Sequence, residues 1–362
     1  MGCCFSSLGI AGEPPPPGDG NWARTPFIAA SAHHRPIGSG AVFASGSHPF
    51  IANWATVTSM NINVGSPFGR TLHEVYADSP RVTIARVPVT ENNYFQVPVS
   101  NIAYPAEGVV FKGNVQKNDN VVVFIDGTTG EHCEFRECGP GNTTFPPSNP
   151  FLAGSFRRSW AKTNGNANVG VTSGLGHGLS DGDRVGHSAG GVAAAFGVTQ
   201  GWELTSSTPI GHVLQLVVPG TPTGSDNAGS AQLASRLKVL PATNVDGYIN
   251  NAGNGQGTIP YGGVLSLPHG FDLGTFSSLN TLQMKIVMAV NDYGLLMVDT
   301  GGLVGPRVAQ DVTGAQATQI RAALNAMRPH LRLITNCAWD PNNRLLPTGG
   351  GTPRAANRAN DA

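Results

Sequence analysis

Gly186-His187-Ser188-Ala189-Gly190 satisfies the G-x-S-x-G pattern, in which a serine hydroxyl is raised on a sharp turn to attack a carbonyl carbon. Such a turn needs a buried strand before the serine and a helix N-terminus after it, so that backbone N–H groups line the oxyanion. Upstream, Gly178 to Val185 (GLSDGDRV) carry two aspartates and an arginine where a Val/Ile-rich strand belongs. Downstream, GVAAAFGVTQG allows only a short helix before Gly197 and Gly201. A pentapeptide with three fixed positions also arises by chance in a chain with 48 glycines, and the segment reads better as a Gly-rich turn that lets backbones approach closely. The alternative, a serine esterase, keeps Ser188 as nucleophile, Asp246 or Asp272 as acid and His269 as base, in the chain order nucleophile, acid, histidine.

A second constellation is spread over the C-terminal half. GWELTSSTPIGHVLQL contains Trp202, Glu203 and His212, PATNVDGYI adds Asp246 and Tyr248, and YGLLMVDTGG adds Asp299 at the end of a strand. Glycosidic chemistry needs a carboxylic acid of raised pKa, a second carboxylate and flat aromatic faces against which sugar rings pack. The expected catalytic residues are therefore Glu203 and Asp246 as the carboxylate pair, with His212 as base or as the group that orients one of them. Trp202, Tyr248 and Asp299 are the expected substrate contacts. Each also has a plain structural use: Glu203 capping a turn, His212 hydrogen-bonded in the core, Asp299 opening a Gly turn.

The ordered set HRPIGSGAVF (His34 to Phe43), GHSAGGVAAAFGVTQGWELTSSTPIGHVLQL (Gly186 to Leu216), PATNVDGYI (Pro241 to Ile249), IPYGGVLSL (Ile259 to Leu267) and KIVMAVNDYGLLMVDTGG (Lys285 to Gly302) resembles a group of mostly secreted, β-rich bacterial proteins. Their motifs run Pro-Ile-Gly, a small-residue run, Glu followed by Gly-x-Ile-x-His-Ala-Leu, Pro-Ala-x-x-x-Asp-Gly, and an Ala-Leu-x-x-Tyr-Gly helix before a Val-x-Asp strand. The resemblance covers about two thirds of the chain and is more specific as an ordered set than at any one motif; Val213 after the histidine departs from it. It implies that Glu203, His212, Asp246 and Asp299 form one group and that the protein is exported, and it assigns no activity.

The elements that must position these residues are mostly short strands. Val82 to Val89, Asn92 to Ser100, Gly108 to Val115 and Val121 to Gly127 are strand-like runs bounded by Gly, Pro, Asn or Asp, with no βαβ alternation between them. Gly211 to Pro219 is apolar on both faces and predicts a central strand, as do Gly262 to Pro268 and Gly294 to Gly302. Helical spacing of Leu279, Leu282, Ile286, Ala289, Val290 and Tyr293 predicts a helix over 278–294, N-capped by Ser278, with Gly294 at C′ and one face against a sheet. Thr313 and Gln316 fit a capping box opening a second helix that ends before Pro329. The expected fold is mainly β, a β-sandwich or jelly-roll-like domain over 22–340 with one or two helices packed on a sheet.

Composition narrows the partners. Only 12% of the 362 residues are charged, acids and bases balance at 22 each, and five of the bases are Lys, so no basic face exists to neutralise phosphates and nucleic acid is not expected. Gly/Asn/Thr-rich loops and dispersed Trp22, Trp54, Trp160, Trp202 and Trp339 suit a polysaccharide groove, used for cleavage or for binding alone, and equally an adhesive surface protein. No cofactor and no metal are expected: Cys133 and Cys138 flank EFRE as a C-x4-C pair better suited to a disulfide across a turn than to zinc, and Cys337 is left over. MGCCFSS presents Gly2 for myristoylation and Cys3 and Cys4 for palmitoylation, which would anchor the chain to a membrane at the cytoplasmic face. The remaining composition points outside the cell, where Asn142 in NTT would accept a glycan. Residues 1–21 read as this acylation-like start and a Pro-rich spacer, and 341–362 as a disordered tail.

Overall fold

The computed structural model describes residues 32–34, 36–47, 70–86, 99–105, 109, 121–128, 130–136, 139–140, 151–153, 155–160, 188, 192–218, 261–300, 305–336, 338–339 and 345–346. These residues are strand-rich with few helices. The strands are β1 (Arg70–Val75), β2 (Arg81–Arg86), β3 (Val99–Ala103), β4 (Val121–Asp126), β5 (Glu131–Arg136), β6 (Gly139–Pro140), β7 (Phe151–Ala153), β8 (Ser155–Trp160), β9 (Leu214–Val218), β10 (Val264–Ser266), β11 (Leu295–Thr300), β12 (Gly305–Pro306), β13 (Arg332–Leu333), β14 (Ala338–Trp339) and β15 (Leu345–Leu346). The helices are α1 (Gly201–Thr205), α2 (Thr281–Asp292) and α3 (Gly314–Met327). Among the described residues no α-helix precedes Gly201, as the uninterrupted strand-like runs of the N-terminal half imply.

Two sheets carry most of the core. One has the order β1-β4-β5-β8, with β1 parallel to β4 and the rest antiparallel. The other, β12-β9-β11-β10-β13, is also mixed: β9 and β11 run parallel, while β10, β12 and β13 pair antiparallel. Smaller sheets join β3-β2-β7-β6 and β14-β15.

Strand β4 shows why the first sheet is covered on both sides. Its residues alternate between two apolar clusters, as the two-residue period of a strand requires. Val121, Val123 and Ile125 join the cluster built by β9, β10, β11, α2 and α3, whereas Val122 and Phe124 pack with Ile84, Ile102 and Phe135. Strand β9 is buried at every position, which explains why it is apolar except for Gln215.

Helix α2 begins two residues later than the sequence predicts: its N-cap is Asn280, whose side chain accepts from the Gln283 N–H while Gln283 answers with the Asn280 N–H. Asn offers the same acceptor as Ser at this position, and the Gln three residues on completes the reciprocal pair that Ser278 lacks. Gly294 sits at C′ with φ +88°, where a Cβ would fall 2.4 Å from Val264 Cγ1. Ile286, Val287, Ala289 and Val290 turn into the core, and the Ser266 hydroxyl on β10 donates to the Val290 carbonyl at 2.7 Å, which seats the helix on the sheet. Helix α3 opens with the expected Thr313/Gln316 box. Ile37 of the Pro-Ile-Gly motif is buried and donates its N–H to the Asp292 carbonyl at 2.5 Å, docking that motif at the end of α2. The expected strand over 108–115 and the segment 92–98 lie outside the described residues, apart from Val109.

Candidate functional site

The site is assembled around the entry to β9. The small-residue run Val192 to Val198 is entirely buried and folds back on that strand: Gln215 donates its backbone N–H to the Gly197 carbonyl (2.7 Å) and its side-chain amide to the Ala194 carbonyl (3.0 Å). Gly197 has φ +76°, and a Cβ there would come within 2.9 Å of the Gln215 N and Val213 O atoms, so only glycine fits. From the other sheet, buried Glu134 of β5 accepts the Ala194 N–H at 2.7 Å.

The chain then enters the single turn of α1. Asp311 accepts the Trp202 N–H (3.3 Å) and Glu203 Oε2 accepts the Gln200 N–H (2.8 Å), placing two carboxylates at the helix start, where orphan donors need them. The Lys285 ammonium on α2 donates to the Glu203 and Ser206 carbonyls at the other end. Burial pulls the Lys285 pKa down, and the Glu203 charge partly restores it.

These contacts leave Glu203 Oε1 aimed at His212 Nε2, 2.7 Å away. His212 Nδ1 donates to the Val213 carbonyl, also at 2.7 Å, so both ring nitrogens face acceptors. Burial alone would depress this histidine; the Glu203 charge and hydrogen bond, with the Val213 carbonyl, outweigh it and raise its pKa above the usual value. The result is a buried histidine–carboxylate pair in which the charged form of the imidazole is favoured. On the ring of His212 lies His33, stacked at 4.3 Å between centroids and 12° between planes. His33 Nδ1 accepts the Gly197 N–H at 3.0 Å, and its pKa is pushed well below the usual histidine value by burial and then by His212, His34 and His132. His34 Nδ1 donates to the Gly211 carbonyl at 2.8 Å.

Glu203 and His212 are thus brought into direct contact, and Trp202 stands beside them on the surface, 36% exposed, with its indole N–H held by Gln200 Oε1 at 3.1 Å. Asp299 is elsewhere. Leu214 pairs with Leu295 and Val217 with Asp299, so His212 and Asp299 lie at opposite ends of the β9/β11 pair, about 16 Å apart along the strand. Asp299 Oδ2 accepts from two buried guanidiniums, Arg307 at 3.1 Å and Arg70 at 3.4 Å. Asp246 and Tyr248 lie outside the described residues, as do Cys138, Asn142 and the Gly2, Cys3, Cys4 start.

Ser188 is buried, and its hydroxyl both donates to the Val192 carbonyl (2.9 Å) and accepts the Val192 N–H (2.7 Å). It closes a local turn before the small-residue run. Asp272 accepts the Gly274 N–H at the start of a 3-10 turn, and His269 is exposed with its ring edge-on to Phe43. Cys133 is buried in β5. Among the described residues no three His, Cys, Asp or Glu side chains are arranged to hold a metal ion, and no helix is long and apolar enough to cross a membrane.

Sequence reasoning missed His33, Lys285, Arg70 and Arg307. The His33-His34 doublet directly before Pro-Ile-Gly was the available signal for the first; nothing local marks the partners of the others. Compared with protein-family models, with curated proteins and with solved structures, the chain matches none.

Proposed function

We propose that this is a carbohydrate-active protein that engages a polysaccharide across the surface around Trp202, on a domain of β-sandwich type. The supporting observation is the fixing of Trp202: an exposed indole on a helical turn tied at its start by Asp311, at its end by Lys285 and from below by the Glu203–His212 pair. A flat aromatic face held in one orientation is the platform on which a sugar ring packs at low entropic cost. The sandwich reading draws support from β4, whose alternate residues feed apolar clusters on both faces of its sheet.

In this reading Glu203 and His212 act as the rigid base of the platform, because both carboxylate oxygens and both ring nitrogens are already engaged beneath the surface. Cleavage, hydrolytic or eliminative, would pair Asp246 with Glu203, the carboxylate that His212 orients, with Tyr248 as a further contact. The cell exterior suits such a ligand better than acylation of Gly2, Cys3 and Cys4 at the cytoplasmic face. Affinity electrophoresis against a panel of neutral and acidic polysaccharides tests the proposal. Trp202→Ala should weaken binding at least about tenfold, some 1.4 kcal/mol, with melting unchanged. Retained binding in that variant, or no polysaccharide bound by the wild type, overturns it. Loss of product release in Asp246→Asn with binding intact would identify an enzyme; binding without products in the wild type identifies a binding module.

A further inference from the structure

The His33 ring is wedged between three walls. The face of His212 lies on one side, Phe196 edge-on at 5.1 Å on another, and His34 edge-on at 4.5 Å on a third. Its Nδ1 accepts the Gly197 N–H and its own carbonyl accepts the Val213 N–H at 2.9 Å, so one residue ties the 3-10 turn Ala32–His34 to both the glycine turn and the entry of β9. We propose that this turn is an acid-released strap: protonation of the His33 ring undocks it from Gly197 and Val213 and uncovers the ring of His212.

Two features of the geometry force the coupling. A protonated Nδ1 is a donor, and it would face the Gly197 N–H, another donor, at hydrogen-bonding distance. The second is charge. Glu203 favours the charged form of His212, and a protonated His33 would lie face to face with that ring at 4.3 Å. Among the described residues the charged and titratable groups around the ring are His34 on its own turn, His132 on β5 with Glu134 beside it on the same face, His212 before β9 and, behind His212, Glu203 on α1 with Lys285 on α2 beneath it. The Phe196 wall carries no charge, and both carboxylates in this set are already engaged, Glu203 with His212 and Glu134 with the Ala194 N–H.

The sign follows from linkage. The docked ring titrates below the ordinary value of 6.5 and the released ring near it, so docking is complete above about pH 6.5 and weakens as pH falls, by up to tenfold per pH unit until the docked pKa is reached. The strap does not depend on what the Trp202 surface binds.

Hydrogen exchange on the full chain between pH 8 and 4.5, corrected for the intrinsic pH dependence of amide exchange, tests the strap. Peptides covering 32–38 and 195–199 should lose protection about tenfold per pH unit below about pH 6, while peptides within α2 and β11 stay protected. His33→Asn places an amide oxygen where Nδ1 accepts and removes the titrating group, so its strap should stay protected to pH 5. The same acid opening in His33→Asn, or simultaneous loss of protection in α2, overturns the proposal. Should that variant not fold, the wild-type His33 ring resonance decides: it must titrate with the same midpoint as the strap opens, and a ring that titrates without loss of protection overturns it.

Discussion

Two buried ionic clusters stand at opposite ends of the β9/β11 pair, and they differ in what they join and how they answer to pH. The Glu203–His212 pair links residues nine apart, one on α1 and one at the strand entry, and its cationic form is favoured chiefly by the carboxylate beside it. The Arg70–Asp299–Arg307 cluster links residues 229 apart, bringing the first strand of one sheet to the central strand of the other, and its cations are permanently charged. Next to it, Gln310 accepts the Leu72 N–H at 2.8 Å and returns its amide to the Leu72 carbonyl, a second tie between the same regions. The first cluster shapes a local surface and the second holds the sheets in place.

Breaking the second should therefore cost more. Asp299→Ala leaves two buried guanidiniums without that carboxylate and is expected to destabilise the fold by about 3–5 kcal/mol, with the same loss at pH 6 and pH 9 because arginine stays charged throughout. Urea unfolding at the two pH values measures both statements; a loss under about 1 kcal/mol would remove the distinction between the clusters.

Glu203→Gln keeps the shape and an acceptor for the Gln200 N–H but removes the charge opposite His212. The expected loss is about 2 kcal/mol at pH 6. The folded pKa of His212 is raised, so the stabilisation is fully present below the unfolded value of 6.5 and disappears as pH rises through the folded value. The gap between wild type and Glu203→Gln should accordingly narrow from pH 6 to pH 9, while the Asp299→Ala gap does not. Equal pH profiles for the two variants would break the comparison.

Ser188→Ala is the smallest expected effect, about 1 kcal/mol from the loss of two hydrogen bonds within one turn, read as a shift in the urea midpoint without change in slope. It calibrates the other two, because Ser188 is as buried as the ionic groups but carries no charge.

Helix α2 and helix α3 were legible because their signals are local: an apolar stripe at helical spacing, a capping pair three residues apart, a glycine past the last turn. The one error there, Ser278 for Asn280, is a choice between two good N-caps that the next turn resolves through Gln283. The strands β4 and β9 were legible as elements for the same reason, since burial on both faces writes itself into a near-continuous apolar run. The Glu203–His212 contact was half legible, as a nearby pair without a stated geometry. The pentapeptide around Ser188 illustrates the converse: a motif match reports side-chain types, and the flanking residues already lacked the strand that would lift the hydroxyl into the open.

What the sequence by itself determined is the set of elements whose causes lie within a few residues: strand-rich composition, two capped helices and a central, mostly apolar strand. What the tertiary structure alone decided is which charges meet. His33 reaches Gly197 across 164 residues and Arg70 reaches Asp299 across 229, and neither contact leaves a periodic trace, because a buried ion's partner is selected by the sheet register and helix seating that bring two distant backbones together. Side-chain type announces that a charge must be neutralised or a donor satisfied; only the packed chain specifies by whom.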